Sequence, residues 1–308
     1  MKVYLNKAFL VNFLLNESDE DIYYNVKRFI TSVKSGAEIT IVDIDEDEAY
    51  KNPELSPFFR KLGNKLPLFE NSILEDCQSA HFHDNNEGHL FFLDNKIDLK
   101  LEDYGCLVSD FSDLKKFGWL FQVMDIRMNG TQTDWSILRK IKHPCNALII
   151  TDNYLFSKET GYDNIVSILE NLMPESLKTN FIFHVTIIGY DSKNVQPIEK
   201  QHSRLMSHFK SRFTYEVNLT IIREDHHDRY IFTNYYRIMS PKGFGLFKGR
   251  KISKNDETTI DCKPITHFNN FSSMESIVKE ELANCQRINR TDRMPDKFAG
   301  NKINRLLT

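Results

Sequence analysis

From residue 146 onward, short apolar runs alternate with amphipathic stretches, and this alternation restricts the fold more than any other feature of the chain. Residues 146–151 (NALIIT) and 181–188 are near-continuous apolar runs, as expected of strands buried on both faces. Residues 217–222 read as a third strand. Between them, residues 164–172 place Ile165, Ile168, Leu169 and Leu172 on one helical stripe. Residues 197–209 do the same with Ile198, Leu205, Met206 and Phe209. Strands that alternate with helices imply parallel pairing, with the helices packed on the sheet. The expected class is α/β with a mainly parallel sheet in this half.

The first half has a less regular rhythm. Residues 3–15 read as a strand or a buried apolar segment. Residues 19–34 carry Ile22, Val26, Phe29, Ile30 and Val33 at helical spacing and stop at Ser35-Gly36. Residues 38–44 alternate as a strand, and the acidic run Asp43, Asp45, Glu46, Asp47, Glu48 after it reads as a solvated loop. Residues 53–67 read as a Pro-punctuated connection around a short helix. Residues 88–93, 107–110 and 118–124 read as strands and 135–141 as a helix. The rhythm changes at His143-Pro144. This predicts an N-terminal mixed α/β domain over 1–142, a second α/β domain over 143–285 and a basic tail over 286–308. Cys77, His81, His83 and His89 fit no standard zinc spacing, so neither a metal nor a cofactor is expected.

Bulk properties exclude several classes. A chain of 308 residues with 41% hydrophobic and 27% charged residues is long enough for two globular cores. A net charge of -3 excludes a globally basic nucleic-acid binder but leaves room for a local basic face. The five cysteines are odd in number and widely spaced, which predicts a reducing, cytoplasmic setting. The N-terminal apolar run is too short and too interrupted to be a signal or a membrane span.

The stretch 223–251 (REDHHDRYIFTNYYRIMSPKGFGLFKGRK) concentrates the chemistry. His227 and Arg229 are two apart at the edge of an expected strand, so they share a face. Asn234-Tyr235 permits a hairpin turn. Lys242, Lys248, Arg250, Lys251 and Lys254 follow with no acid before Asp256. This pattern resembles the phospholipase D-like fold, whose motif is His-x-Lys-x4-Asp followed by a turn of small residues. Here His227 keeps the histidine, Arg229 stands at the lysine and Asn234 at the aspartate, and Ser240 opens the turn. The domain is similar to the phospholipase D-like domain of MIT-domain proteins, which carries a comparable HDR and an Asn-containing turn. No MIT helical bundle is visible in the first half.

The chemistry of such a motif follows from its residue types. Imidazole can attack phosphorus, a second histidine protonates the leaving oxygen, and a cation neutralises the phosphate oxygens. An acid behind the histidine fixes its tautomer. Here His227, Arg229 and Asn234 are the catalytic candidates, but Asn234 lacks the orienting charge and Arg229 is not equivalent to lysine. The partner histidine is missing. His202 lies on an apolar helical stripe, and His226 points to the face opposite His227. A homodimer could bring two His227 side chains together across a two-fold axis. The candidates for phosphate binding are Arg229, Ser240, Lys242, Lys248 and Lys251. Asp152 and Asn153 join them because they end a buried strand, where ligands of α/β proteins bind.

The expected function is binding of a phosphate-bearing polymer, nucleic acid first, through a degenerate site. The resemblance implies a nucleoprotein or antiviral-defence assembly as context. One alternative is a dimeric metal-independent phosphodiesterase or nuclease using His227. Another is a protein-interaction scaffold with a vestigial site. A phospholipid headgroup ranks below these.

Overall fold

The computed structural model describes residues 1–16, 20–32, 35–63, 65–71, 88–94, 100–156, 160–189, 197–266, 271–290 and 297–308. They form an α/β protein with two compact units. The first comprises Met1–Gln122 and Pro264–Ile277, the second Val123–Lys263 and Val278–Thr308.

The first unit contains β1 (Lys2–Leu5), α1 (Lys7–Leu15), α2 (Asp21–Thr31), β2 (Glu38–Ile41), α3 (Glu46–Lys51), α4 (Ser56–Leu62), β3 (Leu68–Phe69), β4 (His89–Phe92) and β5 (Leu107–Ser109). Its sheet runs β3-β2-β1-β4-β5, and every pairing is parallel. The first apolar run divides at Asn6, whose side-chain oxygen accepts from the Phe9 N–H at 2.9 Å and starts α1. Without that cap the orphan amides of the first turn would lack a partner. The acidic run is not a loop throughout. Asp45 caps α3 by accepting from the Glu48 N–H at 2.7 Å. The stretch read as a strand over 118–124 is instead a 3₁₀ helix, Leu114–Phe121, with Leu114, Leu120 and Phe121 buried.

The second unit contains β6 (Met124–Met128), β7 (Ala147–Thr151), α5 (Gly161–Leu172), β8 (Ile182–Ile188), α6 (Ile198–Arg212), β9 (Glu216–Ile222), β10 (Tyr230–Thr233), β11 (Tyr236–Met239), β12 (Thr258–Pro264), the C-terminal part of α7 (Phe271–Arg290) and β13 (Phe298–Ala299). The sheet order is β13-β9-β8-β7-β10-β11-β12-β6. The strands β7, β8 and β9 are parallel, while β10 runs antiparallel to β7 and pairs with β11 through a tight hairpin. The sheet is therefore mixed, with a parallel centre. β6 lies before residue 142 yet pairs with β12, so it belongs to this unit.

Residues 297–308 pack on the second sheet. β13 pairs with β9, and the Asn304 amide donates to the Leu148 carbonyl at 3.1 Å and to Thr186 Oγ1 at 3.0 Å. Arg305 is buried, donates to the Ile182 carbonyl and lies over the Phe181 ring. Gly300 has φ +103, and a Cβ there would meet the Leu219 carbonyl oxygen at 2.2 Å, so this close approach requires glycine.

Two buried histidines make this unit acid-labile. His184 Nδ1 accepts from the Arg305 N–H, and His143 is held between the Ile141 carbonyl and Thr233 Oγ1. Burial pushes both down from 6.5 to about 4, and the Arg305 charge adds to the effect at His184. The unfolded chain therefore binds these protons first. Their contribution is whole above about pH 6.5 and is lost as pH falls toward about 4, by about 3 kcal/mol for each group. Thermal melts between pH 7.5 and 4.5 should show Tm falling below pH 6.5. A flat profile across that window would contradict the buried neutral state.

Candidate functional site

The carboxyl end of β7 is the best-built site in the second unit. Thr151, Asp152, Asn153 and Tyr154 are each tied to the segments 225–230 or 240–244. The Thr151 hydroxyl donates to the Asp228 carbonyl at 2.9 Å and accepts from the Tyr230 N–H at 2.9 Å. It takes over part of the strand ladder, and β10 consequently starts at Tyr230 rather than at His227. His227 and Arg229 lie in the loop that enters the strand.

Arg229 is the residue that this arrangement presents. Its Nη1 donates to the Pro241 carbonyl, and its guanidinium lies over the Tyr154 ring at 5.1 Å from the centroid. Nε is buried without a hydrogen-bond partner, and no carboxylate among the described residues pairs with this arginine. Tyr154 is 55% exposed, so the guanidinium is stacked beneath a ring that reaches solvent. By contrast, Arg237 on β11 pairs with Asp261 at 3.2 Å.

The remaining expected site residues divide by what their side chains hold. Asp152 is 1% exposed, and its carboxylate accepts from the Tyr154 N–H at 2.9 Å and the Phe244 N–H at 2.6 Å. An acidic group consumed in this way is a staple between β7 and the 240–244 loop, not a phosphate ligand. Gly243 has φ +78, and a Cβ there would approach Asp152 Oδ2 to 2.6 Å. Asn153 donates to Asp225 Oδ1 at 2.5 Å and accepts from the His226 N–H at 2.6 Å. Ser240 is buried and donates to the Gly243 carbonyl at 2.5 Å. These three polar side chains shape the loop from beneath.

Asn234 is not brought to Arg229. It lies at the opposite end of β10, where its Oδ1 accepts from the Asn146 and Ala147 N–H groups at 3.0 and 3.3 Å. Its Nδ2 donates to Asn146 Oδ1 at 2.9 Å. Five residues of extended chain, roughly 16 Å at about 3.3 Å each, separate it from Arg229. Its role is to pin the start of β7, 88 positions away in the chain.

His227 is 88% exposed, with Asp225 Oδ2 at 3.9 Å. His226 is buried on the other side, with Nδ1 3.2 Å from the Asp228 carbonyl and Nε2 3.8 Å from Glu281. His202 Nε2 is 2.9 Å from the Leu219 carbonyl, a packing role as its helical stripe implies. Lys242 and Lys251 are exposed, and Lys248 is 3.3 Å from Asp256.

In the first unit the corresponding position is filled by its own side chains among the described residues. In its sheet the order reverses between β1 and β4, where a ligand would be expected. There Asn6 Nδ2 donates to the Asp94 carbonyl at 2.8 Å, and Asp43 accepts from the Lys7 N–H at 2.7 Å. The N-terminus of α1 is therefore already occupied by a carboxylate. Cys77, His81, His83 and Asp84 lie outside the described residues. Among the described residues no group of His, Cys, Asp and Glu is placed to hold a metal, and no helix is long and apolar enough to cross a membrane.

The fold and site together define an α/β protein with a cation-bearing loop cluster at the carboxyl end of a mixed sheet. No family model matches the chain, and no curated protein matches it. Among solved structures, a mutant of yeast tyrosyl-DNA phosphodiesterase 1 aligns with a TM-score of 0.27 and 13% identity over 46% of this chain. A second structure of yeast tyrosyl-DNA phosphodiesterase aligns at 0.26 and 12% over 46% of this chain. The aligned part spans 32% of each of those chains.

Proposed function

We propose that this protein binds a phosphate-bearing polymer, nucleic acid first, through a degenerate phospholipase D-like site centred on Arg229. The observation that supports this is the guanidinium itself. It is half-buried, has no carboxylate partner among the described residues, keeps one N–H without an acceptor, and is backed by an exposed tyrosine. A desolvated donor of this kind is costly unless an anion completes it. Lys242, Lys248 and Lys251 supply further positive charge in the segment that follows. An arginine fork suits a phosphate oxyanion, and the number of cations in this segment favours a polymer over a single anion.

The test is binding of a labelled oligonucleotide to the whole chain as salt is varied. With about four phosphate contacts, affinity should fall about 100-fold between about 50 and about 200 mM salt. Binding that ignores salt, or no binding, would remove this reading. The same preparation tests the hydrolytic alternative. The exposure of His227 leaves it open to a second copy, so a dimeric phosphodiesterase would cleave in EDTA and lose that activity in His227→Ala. Binding without cleavage favours the non-catalytic reading.

A further inference from the structure

Beyond the loop that holds Arg229, the chain builds a second cationic element with an unusually constrained base. Phe247 and Ile252 form an antiparallel bridge, and the Lys248 N–H donates to the Lys251 carbonyl at 2.9 Å. The four residues Lys248, Gly249, Arg250 and Lys251 form the exposed tip, and Gly249 takes φ +65 to close it. Lys248 faces Asp256, but Arg250 and Lys251 make no ion pair among the described residues. The Asp134 carboxyl is held below its ordinary value by the Ser136 hydrogen bonds first and by the charges of Arg139 and Arg250 to a smaller extent. Arg250 therefore lies near an acid without being consumed by it.

The base of this hairpin is buried and fully bonded. Asn164, on α5, uses its side-chain amide as a substitute strand. Its Nδ2 donates to the Phe247 carbonyl at 2.8 Å, and its Oδ1 accepts from the Phe247 N–H at 3.1 Å. The same amide accepts from Trp135 Nε1 at 2.9 Å and donates to the Thr160 carbonyl at 2.8 Å. All four bonds that an asparagine side chain can make are thereby used. The Trp135 ring, fully buried, packs against Phe244 and Phe247. A tip held this way loses little freedom when it meets a ligand, which is the condition for useful affinity from a few charges.

We infer that this hairpin is a rigid basic finger that grips the backbone of double-stranded nucleic acid, an inference that rests on the nucleic-acid reading of the protein. The duplex is favoured over a single strand by what the tip lacks. Single-strand binding draws on aromatic rings on which bases stack. Here the aromatic and aliphatic side chains flanking the tip, Phe247 and Ile252, are 4% and 6% exposed, and the exposed positions are Lys, Gly, Arg and Lys. The finger offers clustered charge on a held base and no stacking surface, so it suits paired phosphate rails.

The double substitution Arg250→Gln with Lys251→Gln tests this, because both side chains are exposed and neither supports the fold. Affinity for a labelled duplex of about 20 base pairs should fall about tenfold at about 100 mM salt, and the slope of log K against log salt should become less negative by about 1.8. A single strand of equal length should lose less. Unchanged duplex affinity and slope, or a larger loss for the single strand, would overturn the finger, as would a native protein that binds no duplex. Arg229→Ala measured in parallel separates the two ideas. If Arg229→Ala weakens binding and the finger variant does not, the finger fails and the Arg229-centred reading stands. If only the finger variant weakens it, the finger stands and the reading centred on Arg229 fails.

Discussion

Arg229→Ala should weaken binding of a phosphate-bearing polymer by about tenfold to 100-fold, with unfolding stability changed by less than about 1 kcal/mol. The asymmetry follows from what the side chain touches. Its only protein hydrogen bond among the described residues is to the Pro241 carbonyl, it forms no ion pair there, and it lies on a tyrosine that faces solvent. A residue placed for the core would instead lower stability when removed. Arg229→Lys separates charge from geometry. Lysine restores the charge but not the planar fork, so affinity should return only in part and the salt slope should return more fully. Full recovery with lysine would show that a point charge suffices. A stability loss comparable to the binding loss would show that Arg229 is structural.

Asp152→Ala should have the largest effect on the fold, a loss of about 2–4 kcal/mol in urea unfolding. Two backbone N–H groups, those of Tyr154 and Phe244, lose their acceptor, and the Phe244 side chain is fully buried. Removing a buried charge returns some desolvation energy, but it does not supply a new acceptor for either amide. Asp152→Asn should recover only part of the loss, because the amide group that replaces one oxygen presents N–H to an N–H. Gly243→Ala attacks the same contact from the other side. Its Cβ would stand 2.6 Å from the Asp152 carboxylate in a left-handed backbone, so it too should destabilise. If both substitutions leave the urea midpoint unchanged, the staple between β7 and the 240–244 loop contributes nothing. Any polymer binding should weaken in these variants as well, since the loop supplies the carbonyl that orients Arg229.

How far the chain could be read in advance depended on how locally each feature is specified. The centre of the second sheet was legible to within a residue or two at most ends. β7, β8 and β9 are largely buried, so each is rich in apolar residues over its whole length, and α5 and α6 follow from spacing alone. The region before residue 142 was less legible. Leu114–Phe121 has enough apolar residues for a strand, yet it winds into a short helix, and β6 finds its partner β12 more than 130 positions later. Periodicity does not report such long-range pairing.

The site divides along the same line. Arg229 is a candidate that a local signature singles out, a cation two residues from a histidine in this motif. The lysine cluster was visible for the same reason. Asn153, Asn234 and Ser240 have side chains as capable of binding phosphate as of bonding backbone, Asp152 was singled out only by its place at a strand end, and nothing adjacent in the chain reveals which use each serves. The tertiary structure decides it by bringing Phe244 to Asp152 across 92 positions and Asn146 to Asn234 across 88. Asn164 is the converse case, read in the sequence as an ordinary helical position and found bonding both backbone groups of Phe247. Residue type and spacing thus determined the α/β class and the chemistry available. Which polar groups remain for a ligand was decided only by folding, because a buried amide must find an acceptor and takes the side chain that tertiary packing places beside it.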